Sequence, residues 1–233
     1  MSKSTIVAFS GGKDSTAMAL SLRDRGEEFK LLFTPTGDEL PDLFEHIDNV
    51  VKLTGADLII PQNKTLYEWI DKMHMLPSTR ARWCTRAIKI EPCILWMKKN
   101  PGHRLAVGLR ADEEARQGLY SELIETVFPL REWGWGLKEV QAFIKTKPVT
   151  VPRRTDCALC PYQQLGEWYR LWRDYPARYQ LGVEYEDKIG HTIRSPSRDM
   201  WPAALRELAI EFSQGRKIRG YKEENQACRI CTL

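Results

Sequence analysis

A short glycine turn near the start of the chain carries the residue types needed to bind phosphate. The turn is Ser10-Gly11-Gly12-Lys13-Asp14-Ser15, between an apolar stretch and a segment with helical spacing. Paired glycines let the backbone turn sharply, so consecutive N–H groups can point at an anion, and a helix N-terminus adds partial positive charge. Lys13 adds a cation, and the two serines add hydroxyl donors. The pattern predicts a phosphate-binding turn; the alternative is a turn that only joins a strand to a helix.

A second polar group follows the next apolar run, which covers residues 30 to 36. Thr36, Gly37 and Asp38 come at its end, where open α/β sheets place their ligands. Asp38 is therefore a candidate for holding Mg²⁺ on the phosphates or for binding the nucleotide directly. The alternative is a helix cap, because Pro41 and Asp42 begin a helix here.

Two clusters of cations could bind further anionic groups. The first consists of Arg80, Arg82, Arg86 and Lys89. These side chains would converge on an anion if the segment enters the cleft, and would otherwise form a solvated basic face. In the second cluster, Gly108 ends a strand and is followed by Arg110 and Arg116, an arrangement typical of a phosphate or sulfate clamp.

Six cysteines suggest metal ligands or redox thiols rather than disulfides, because reducing compartments keep thiols free. Cys157 and Cys160 form one pair with two residues between them, and Cys228 and Cys231 form another. Together they could bind zinc or an iron–sulfur cluster. A second arrangement uses Cys84, Cys157 and Cys160 as three ligands, with the tail supplying a fourth at Cys228 or acting as redox thiols. The remaining alternative is six unrelated cysteines, and Cys93 is interpreted as a thiol in a helix core.

Alternating apolar strands and amphipathic helices must position these residues. Strands are predicted at residues 5–9, 30–36, 58–60, 105–107 and 125–130, and helices at 42–54, 65–73 and 137–144, with a further helix after the glycine turn. This alternation predicts an α/β fold with right-handed crossovers and a parallel sheet. After Pro148 the chain becomes rich in proline and aromatic residues. We therefore expect a nucleotide-binding α/β domain over 1–147 and a C-terminal subdomain over 148–233.

Composition sets wide limits on the class of protein. The chain has 233 residues and a formal net charge of +4, which permits a polyanionic partner without requiring one. The aromatic and basic residues after Pro148 could stack nucleic acid bases, although such a stripe is more often a helix core. No apolar stretch approaches the roughly 20 residues that span a bilayer, and the N-terminus lacks a signal peptide's apolar centre. We expect a cytoplasmic protein without a membrane partner.

Taken in order, these residues resemble the phosphoadenosine phosphosulfate (PAPS) reductase family of the adenine-nucleotide α-hydrolase (HUP-like) superfamily. The matching pieces are residues 10–15, Thr36-Gly37-Asp38-Glu39, Arg82-Trp83-Cys84-Thr85 with Lys89 and Pro92, Gly108-Leu109-Arg110 with Arg116, Pro129-Leu130 with Trp133, and Cys157 with Cys160. The resemblance implies a doubly wound, five-stranded parallel sheet with nucleotide at the strand C-termini. It places the family motifs over about residues 5 to 161. The composition after Pro148 predicts a small, mainly helical, cysteine-containing C-terminal subdomain.

Two branches of this family imply different reactions. Reductases attack the sulfur of adenosine phosphosulfate (APS) or PAPS with a tail cysteine and release sulfite, and those acting on APS carry a four-iron, four-sulfur (4Fe-4S) cluster. Their cluster motif has adjacent cysteines where this chain has Cys84-Thr85, and their tail cysteine stands beside Glu and Gly, unlike Cys228-Arg229-Ile230-Cys231. The Arg-Trp-Cys-Thr form is similar to members linked to DNA phosphorothioation. The Ser-Gly-Gly-Lys-Asp-Ser turn is similar to the pyrophosphate-binding (PP) loop of members that split ATP, and it lacks the Walker A spacing.

The preferred hypothesis is that the chain is an ATP pyrophosphatase and sulfurtransferase. An oxygen of the substrate attacks the α-phosphate, pyrophosphate leaves, and sulfur from a persulfide or a three-cysteine cluster then displaces AMP. Lys13 and Asp14 are the expected catalytic residues of the loop, with Mg²⁺ near Asp14 or Asp38, and Cys231 is the expected catalytic thiol. Lys13, Lys89, Arg110 and Arg116 would neutralise developing phosphate charge.

The resemblance also implies partners. Candidate partners are an adenine nucleotide, a nucleic acid substrate (DNA or tRNA), a sulfur donor such as a cysteine desulfurase or thioredoxin, and a second copy of the chain. Alternative functions are a sulfonucleotide reductase and a nucleotide-binding partner without turnover.

Overall fold

The computed structural model describes residues 3–113, 124–153, 155–196 and 198–220. Within them lies one parallel sheet with the strand order β3-β2-β1-β4-β5. The strands are β1 Ser4–Ala8, β2 Phe29–Leu32, β3 Leu58–Ile59, β4 His103–Ala106 and β5 Thr126–Val127. The predicted five-stranded parallel α/β fold is confirmed. The order reverses between β1 and β4, and this reversal creates a crevice at the carboxyl ends of those two strands.

The helices follow the strands as the alternation predicts. They are α1 Lys13–Asp24, α2 Pro41–Thr54, α3 Leu66–Met73, α4 Glu91–Lys99, α5 Pro129–Glu132, α6 Leu137–Lys145, α7 Leu165–Asp174, α8 Pro176–Ile189 and α9 Leu205–Ser213. A π-helical turn, Thr85–Ile90, leads into α4, and a 3₁₀ turn covers Ala111–Glu113. The strand predicted at 125–130 is too long. Only Thr126–Val127 pair with β4, and Pro129 begins α5, because proline has no N–H for the ladder and suits a first helical turn.

Both faces of the sheet are covered, which makes the fold doubly wound. Val7, Leu31 and Ala106 point to one face and pack among side chains of α1, α2 and α6. Their neighbours Ile6 and Leu105 point to the opposite face, among side chains of α4 that include the buried Cys93. Alternate residues of a strand face opposite sides, so strands buried on both sides are apolar throughout.

A separate core is built mainly by the C-terminal helices. Trp168 of α7, Tyr179 of α8 and Phe212 of α9 pack together with Leu66 and Ile70 of α3. The C-terminal part is mainly helical, as expected, and shares this core with a helix from the first half of the chain. The proposed boundary between 147 and 148 stays a prediction. No helix in the described part of the chain is long and apolar enough to cross a membrane.

Candidate functional site

The glycine turn lies between β1 and α1, and its serines hold its shape. The Ser10 N–H donates to Ser15 Oγ (3.3 Å), the Gly12 N–H donates to Ser10 Oγ (3.3 Å), and Ser15 Oγ donates to the Gly12 carbonyl (3.1 Å). The Thr16 N–H is the first in α1 to bond within the helix, to the Gly12 carbonyl at 2.9 Å. The N–H groups of the preceding residues have no carbonyl of their own helix to bond. They lie at the carboxyl edge of the sheet and are suited to bind an anion.

Gly11 is required by both conformation and space. Its φ is +72°, and a Cβ built there would lie 2.4 Å from Leu43 Cδ1 of α2. A side chain would therefore strain the backbone and displace α2. The close packing of α2 on the turn requires a glycine at this position, independently of any contact with phosphate.

His46 supports the turn from α2, a role that spacing alone could not predict. It is buried, its Nε2 lies 3.0 Å from Thr16 Oγ1, and its imidazole also hydrogen-bonds to the backbone of Gly11 and Thr150. Burial lowers its pKa to about 4, so the ring is neutral at physiological pH. A single histidine without a partner at metal-ligand spacing gives no sequence signal for this contact with the glycine turn.

Asp14 and Arg110 meet across the crevice between β1 and β4. Asp14 is 4% exposed, and its Oδ2 lies 2.8 Å from Arg110 Nη1 and 3.5 Å from Lys13 Nζ. Its Oδ1 is buried and has no hydrogen-bond partner among the described residues. Burial raises the pKa of Asp14, and the charges of Lys13 and Arg110 oppose this rise. The unpartnered oxygen suits a cation or a donor brought by a ligand.

Arg110 is held by acidic neighbours in the absence of a ligand. Its Nε lies 2.9 Å from Asp112 Oδ1 and its Nη2 lies 3.5 Å from Glu113 Oε1, in addition to the contact with Asp14. Arg131 fixes this turn by donating to the carbonyls of Arg110 (3.3 Å) and Glu113 (2.7 Å). A phosphate would compete with these carboxylates for the Arg110 guanidinium.

Gly108 brings the end of β4 against the first turn of α1. A Cβ there would lie 3.2 Å from the Ser15 nitrogen and 3.3 Å from the Asp14 carbonyl carbon. The crevice formed by this close approach is lined by Ala8, Ser10, Asp14, Ser15, Val107, Gly108 and Leu109. Predicted loop and clamp residues thus meet at the point where the strand order reverses.

The turn after β2 is closed by its own glutamate. Glu39 Oε1 accepts from the N–H (2.6 Å) and hydroxyl (2.7 Å) of Thr36, and Oε2 accepts from the Gly37 N–H (2.9 Å). Gly37 has a φ of +79°, and a Cβ there would lie 2.7 Å from Thr65 Cγ2. Glu39 therefore fixes the predicted nucleotide-binding turn.

Asp38 joins this turn to the first cysteine pair. It is fully buried, its Oδ1 accepts from the Tyr67 hydroxyl, and its Oδ2 accepts from the Leu159 N–H at 2.8 Å. Its backbone carbonyl accepts from the Ala158 N–H at 2.7 Å. Burial raises the pKa of Asp38 to about 6. The N-cap of α2 is Leu40; Asp38 as a magnesium ligand stays a prediction, and its contacts favour Asp14 for that role.

Cys84, Cys157 and Cys160 line one cavity, together with Thr36 and Lys89. Burial chiefly raises the pKa of the Cys84 thiol, and a hydrogen bond involving Cys160 chiefly raises that of Cys157. Across the described ranges, no three Cys, His, Asp or Glu side chains form a group that could hold a metal ion. The three thiols share a cavity without forming a ready site for a single ion.

The first arginine cluster does not converge as a whole. Arg82 lines the cysteine cavity and its guanidinium lies 4.8 Å from the centre of the Tyr162 ring, whereas Arg86 is 80% exposed and pairs with Glu91 at 2.9 Å. The predicted nucleotide ligand Arg116, the predicted metal ligand Cys228 and the predicted catalytic Cys231 lie outside the described residues.

Comparison with known proteins gives one family match. The model of the phosphoadenosine phosphosulfate reductase domain matches residues 4–153. Two uncharacterized proteins of Methanocaldococcus jannaschii, MJ0973 and MJ0066, are each 24% identical to the chain, over 93% and 76% of its length. The matches cover 55% and 40% of those proteins, so the chain spans about half the length of these curated relatives.

A solved structure supports the fold. The crystal structure of phosphoadenylyl-sulfate (PAPS) reductase from Candida auris, in complex with phosphate, has a TM-score of 0.51 and 18% sequence identity. The match covers 63% of this chain and 74% of that one. At this identity the likeness establishes a shared fold.

Proposed function

Because the chain belongs to the phosphoadenosine phosphosulfate reductase domain family, within the adenine-nucleotide α-hydrolase superfamily, we propose that it is an ATP-dependent sulfurtransferase. The observation that carries the proposal is the crevice between β1 and β4, where the serine-bonded glycine turn, Lys13, Asp14 and Arg110 meet. Backbone N–H groups and two cations at a helix N-terminus are suited to a polyphosphate, and the turn has the form used by ATP-splitting relatives.

The first step is adenylation of the acceptor. An acceptor carbonyl oxygen attacks the α-phosphorus, the bond to the bridging α–β oxygen breaks, and pyrophosphate leaves. The turn at residues 10–15 would hold the departing pyrophosphate, and Lys13 and Arg110 would neutralise its charge. Asp14 would hold Mg²⁺ with its unpartnered Oδ1, because hard cations prefer carboxylate oxygens. Lys89, and Arg116 from outside the described residues, would complete the cationic shell.

The second step replaces the adenylated oxygen with sulfur. Hydrosulfide displaces AMP, so the net reaction converts an acceptor carbonyl, ATP and hydrogen sulfide into a thiocarbonyl, AMP and pyrophosphate. The acceptor that we propose is a base carbonyl of a nucleic acid, a polyanion that the net charge of +4 permits.

Three cysteines next to the nucleotide turn could hold an iron–sulfur cluster. Thiolates are its usual ligands, and a cluster bound by these cysteines would supply the sulfide for the second step. Cys84, Cys157 and Cys160 line one cavity, so they are the described residues that would hold the cluster. Cys228 is a candidate fourth ligand and Cys231 a candidate catalytic thiol.

Product analysis tests the proposal. Anaerobically purified protein with Mg²⁺, sulfide and α-labelled ATP should form AMP and pyrophosphate when DNA or tRNA is added. Lys13→Met should abolish this turnover, while Lys52→Met, on the exposed side of α2, should not. Inertness toward ATP together with sulfite release from APS or PAPS would establish the reductase alternative, the activity for which the matching domain is named. Nucleotide binding without turnover of either would establish a non-catalytic role.

A visible spectrum tests the cysteine assignment. Brown, anaerobically purified protein that loses its colour in the Cys84→Ser variant supports a cluster, whereas colourless protein with stoichiometric zinc refutes it.

A further inference from the structure

A second cleft, of about 580 Å³, lies between α2, residues 148–153 and α7. This α2–α7 cleft is as large as typical ligand pockets, which measure roughly 300–1,000 Å³. Within the described ranges it shares no lining residue with the crevice at the glycine turn or with the cysteine cavity. It is therefore a separate place where a ligand can bind.

Two polar atoms on the cleft wall lack hydrogen-bond partners in the described part of the chain. Gln163 is 1% exposed; its Nε2 donates to the Ala158 carbonyl, but its Oε1 is unpartnered. Arg170 Nε is also buried and unpartnered, at 4.0 Å from Asp174 Oδ2. Buried polar atoms are costly unless they are bonded. A ligand that offers both a donor and an acceptor would satisfy these two atoms.

The remaining walls suit a flat ring. Tyr175, Leu171 and Pro152 provide aromatic and apolar surface, and the Tyr175 hydroxyl donates to Asp42 Oδ1 at 3.1 Å. The carboxylates of Asp42, Glu45 and Glu167 also line the cleft and outnumber the guanidinium groups of Arg153 and Arg170. Nucleobases are bound by stacking on such side chains and by hydrogen bonds along one edge.

The cleft borders both of the other sites. His46 forms part of its wall and bonds to Thr16 Oγ1, directly behind the glycine turn. Gln163 forms another part, and its N–H donates to the Cys160 carbonyl at 3.1 Å. A reaction that joins ATP, a sulfur source and an acceptor needs a third binding site next to the first two, and this cleft has that position.

We propose that the α2–α7 cleft binds a nucleobase of the acceptor, with Gln163 Oε1 accepting from the ring edge, Arg170 Nε donating to it, and Tyr175 against its face. The proposal rests on the proposed function for the acceptor's role. The ligand is a nucleoside phosphate unit, either free or within a single strand, whose phosphate lies near Arg153.

Equilibrium binding without ATP tests the proposal. Uridine 5′-monophosphate should bind, and ribose 5-phosphate, which lacks the base, should not compete. Arg170→Met should weaken binding by about tenfold, the usual effect of losing one hydrogen bond to a charged group. Arg173→Met, on the same helix outside the cleft, should leave it unchanged. Equal binding of ribose 5-phosphate, or equal affinity of the Arg170→Met variant, would overturn the proposal. Tighter binding of a short oligouridylate would identify a nucleic acid as the source, and equal or weaker binding a free nucleotide.

A second measurement uses only the wild-type protein and does not depend on whether a variant folds. Photocrosslinking of 4-thiouridine 5′-monophosphate to the wild-type protein should label the tryptic peptide of residues 174–178, which contains Tyr175. Labelling confined to other peptides would refute the site. Because neither assay contains ATP, failure here leaves the adenylation test unaffected, and failure of adenylation leaves the binding result standing.

Discussion

Replacing Asp38 with asparagine should loosen the cysteine turn while changing global stability little. Asparagine offers one oxygen where the carboxylate accepts from both Tyr67 and Leu159, and a buried donor left unsatisfied costs about 1–3 kcal/mol. The same change removes a buried charge, because a pKa raised from 3.8 to about 6 means that ionised Asp38 costs the folded protein about 3 kcal/mol near pH 7.5. The two terms have opposite signs and similar size.

The assay separates local opening from global unfolding by using cysteines in two places. Alkylation of Cys157 and Cys160 by iodoacetamide, followed by mass spectrometry, should speed up about tenfold in the Asp38→Asn variant, since about 1.4 kcal/mol of lost local stability raises the open population tenfold. Cys93, buried in α4, should stay equally slow in both proteins and reports global unfolding.

A matched control is Asp57→Asn. Asp57 is 73% exposed in its side chain and pairs with Lys30, so the same change there should leave all alkylation rates unaltered. Unchanged reactivity of Cys157 and Cys160 in the Asp38→Asn variant would refute the inference that this carboxylate holds the cysteine turn.

Three further substitutions test individual parts of the structure. Gly11→Ala should lower the free energy of unfolding by at least about 2 kcal/mol, because the cost of the positive φ and the cost of overpacking against Leu43 add together. The control Gly26→Ala has a similar φ but open space around the new Cβ, so it should lower the free energy of unfolding by only about 1 kcal/mol in denaturant titration. Glu186 is buried, accepts from two backbone N–H groups, and has a pKa raised by burial to about 7. In the folded protein Glu186 keeps a proton that it loses in the unfolded chain, so its contribution to the free energy of unfolding is full below about pH 4.5 and disappears as pH rises through 7. Chemical denaturation across this range should therefore show a flatter pH dependence of stability for Glu186→Gln than for the wild type. The same pH dependence in both proteins would contradict this. Arg110→Met should destabilise the protein by about 3 kcal/mol in thermal unfolding, because it leaves Asp14 without its main ion-pair partner, and a neutral effect would argue against that network.

Local pattern was sufficient for the fold and for the position of the glycine turn between β1 and α1. Apolar strands interrupted by glycine and followed by amphipathic helices specify parallel βα units, and the family motifs mark their carboxyl ends. The prediction that the last strand extends to residue 130 was wrong for a local reason. The apolar run favoured a strand, whereas Pro129 begins a helix.

Long-range contacts could not be read from the sequence. Asp38 lies far along the chain from Leu159, and His46 of α2 supports the glycine turn that precedes α1, so neither contact leaves a spacing signal. The engagement of Arg110 by three carboxylates likewise depends on the fold of residues 110–113. Burial and partner choice, which decide whether a charged residue faces a ligand or the protein, arise only in three dimensions.

The proposed role of residues 10–15 is to bind the polyphosphate of ATP. Isothermal titration with the non-cleavable analogue α,β-methylene-ATP and Mg²⁺ tests it directly, with wild type, Lys13→Met and the exposed control Lys52→Met. We expect the wild type and the Lys52 variant to bind alike and the Lys13 variant to bind about tenfold or more weakly, as expected for loss of a charged contact to phosphate. Equal affinity of all three proteins, or no binding by the wild type, would contradict the account.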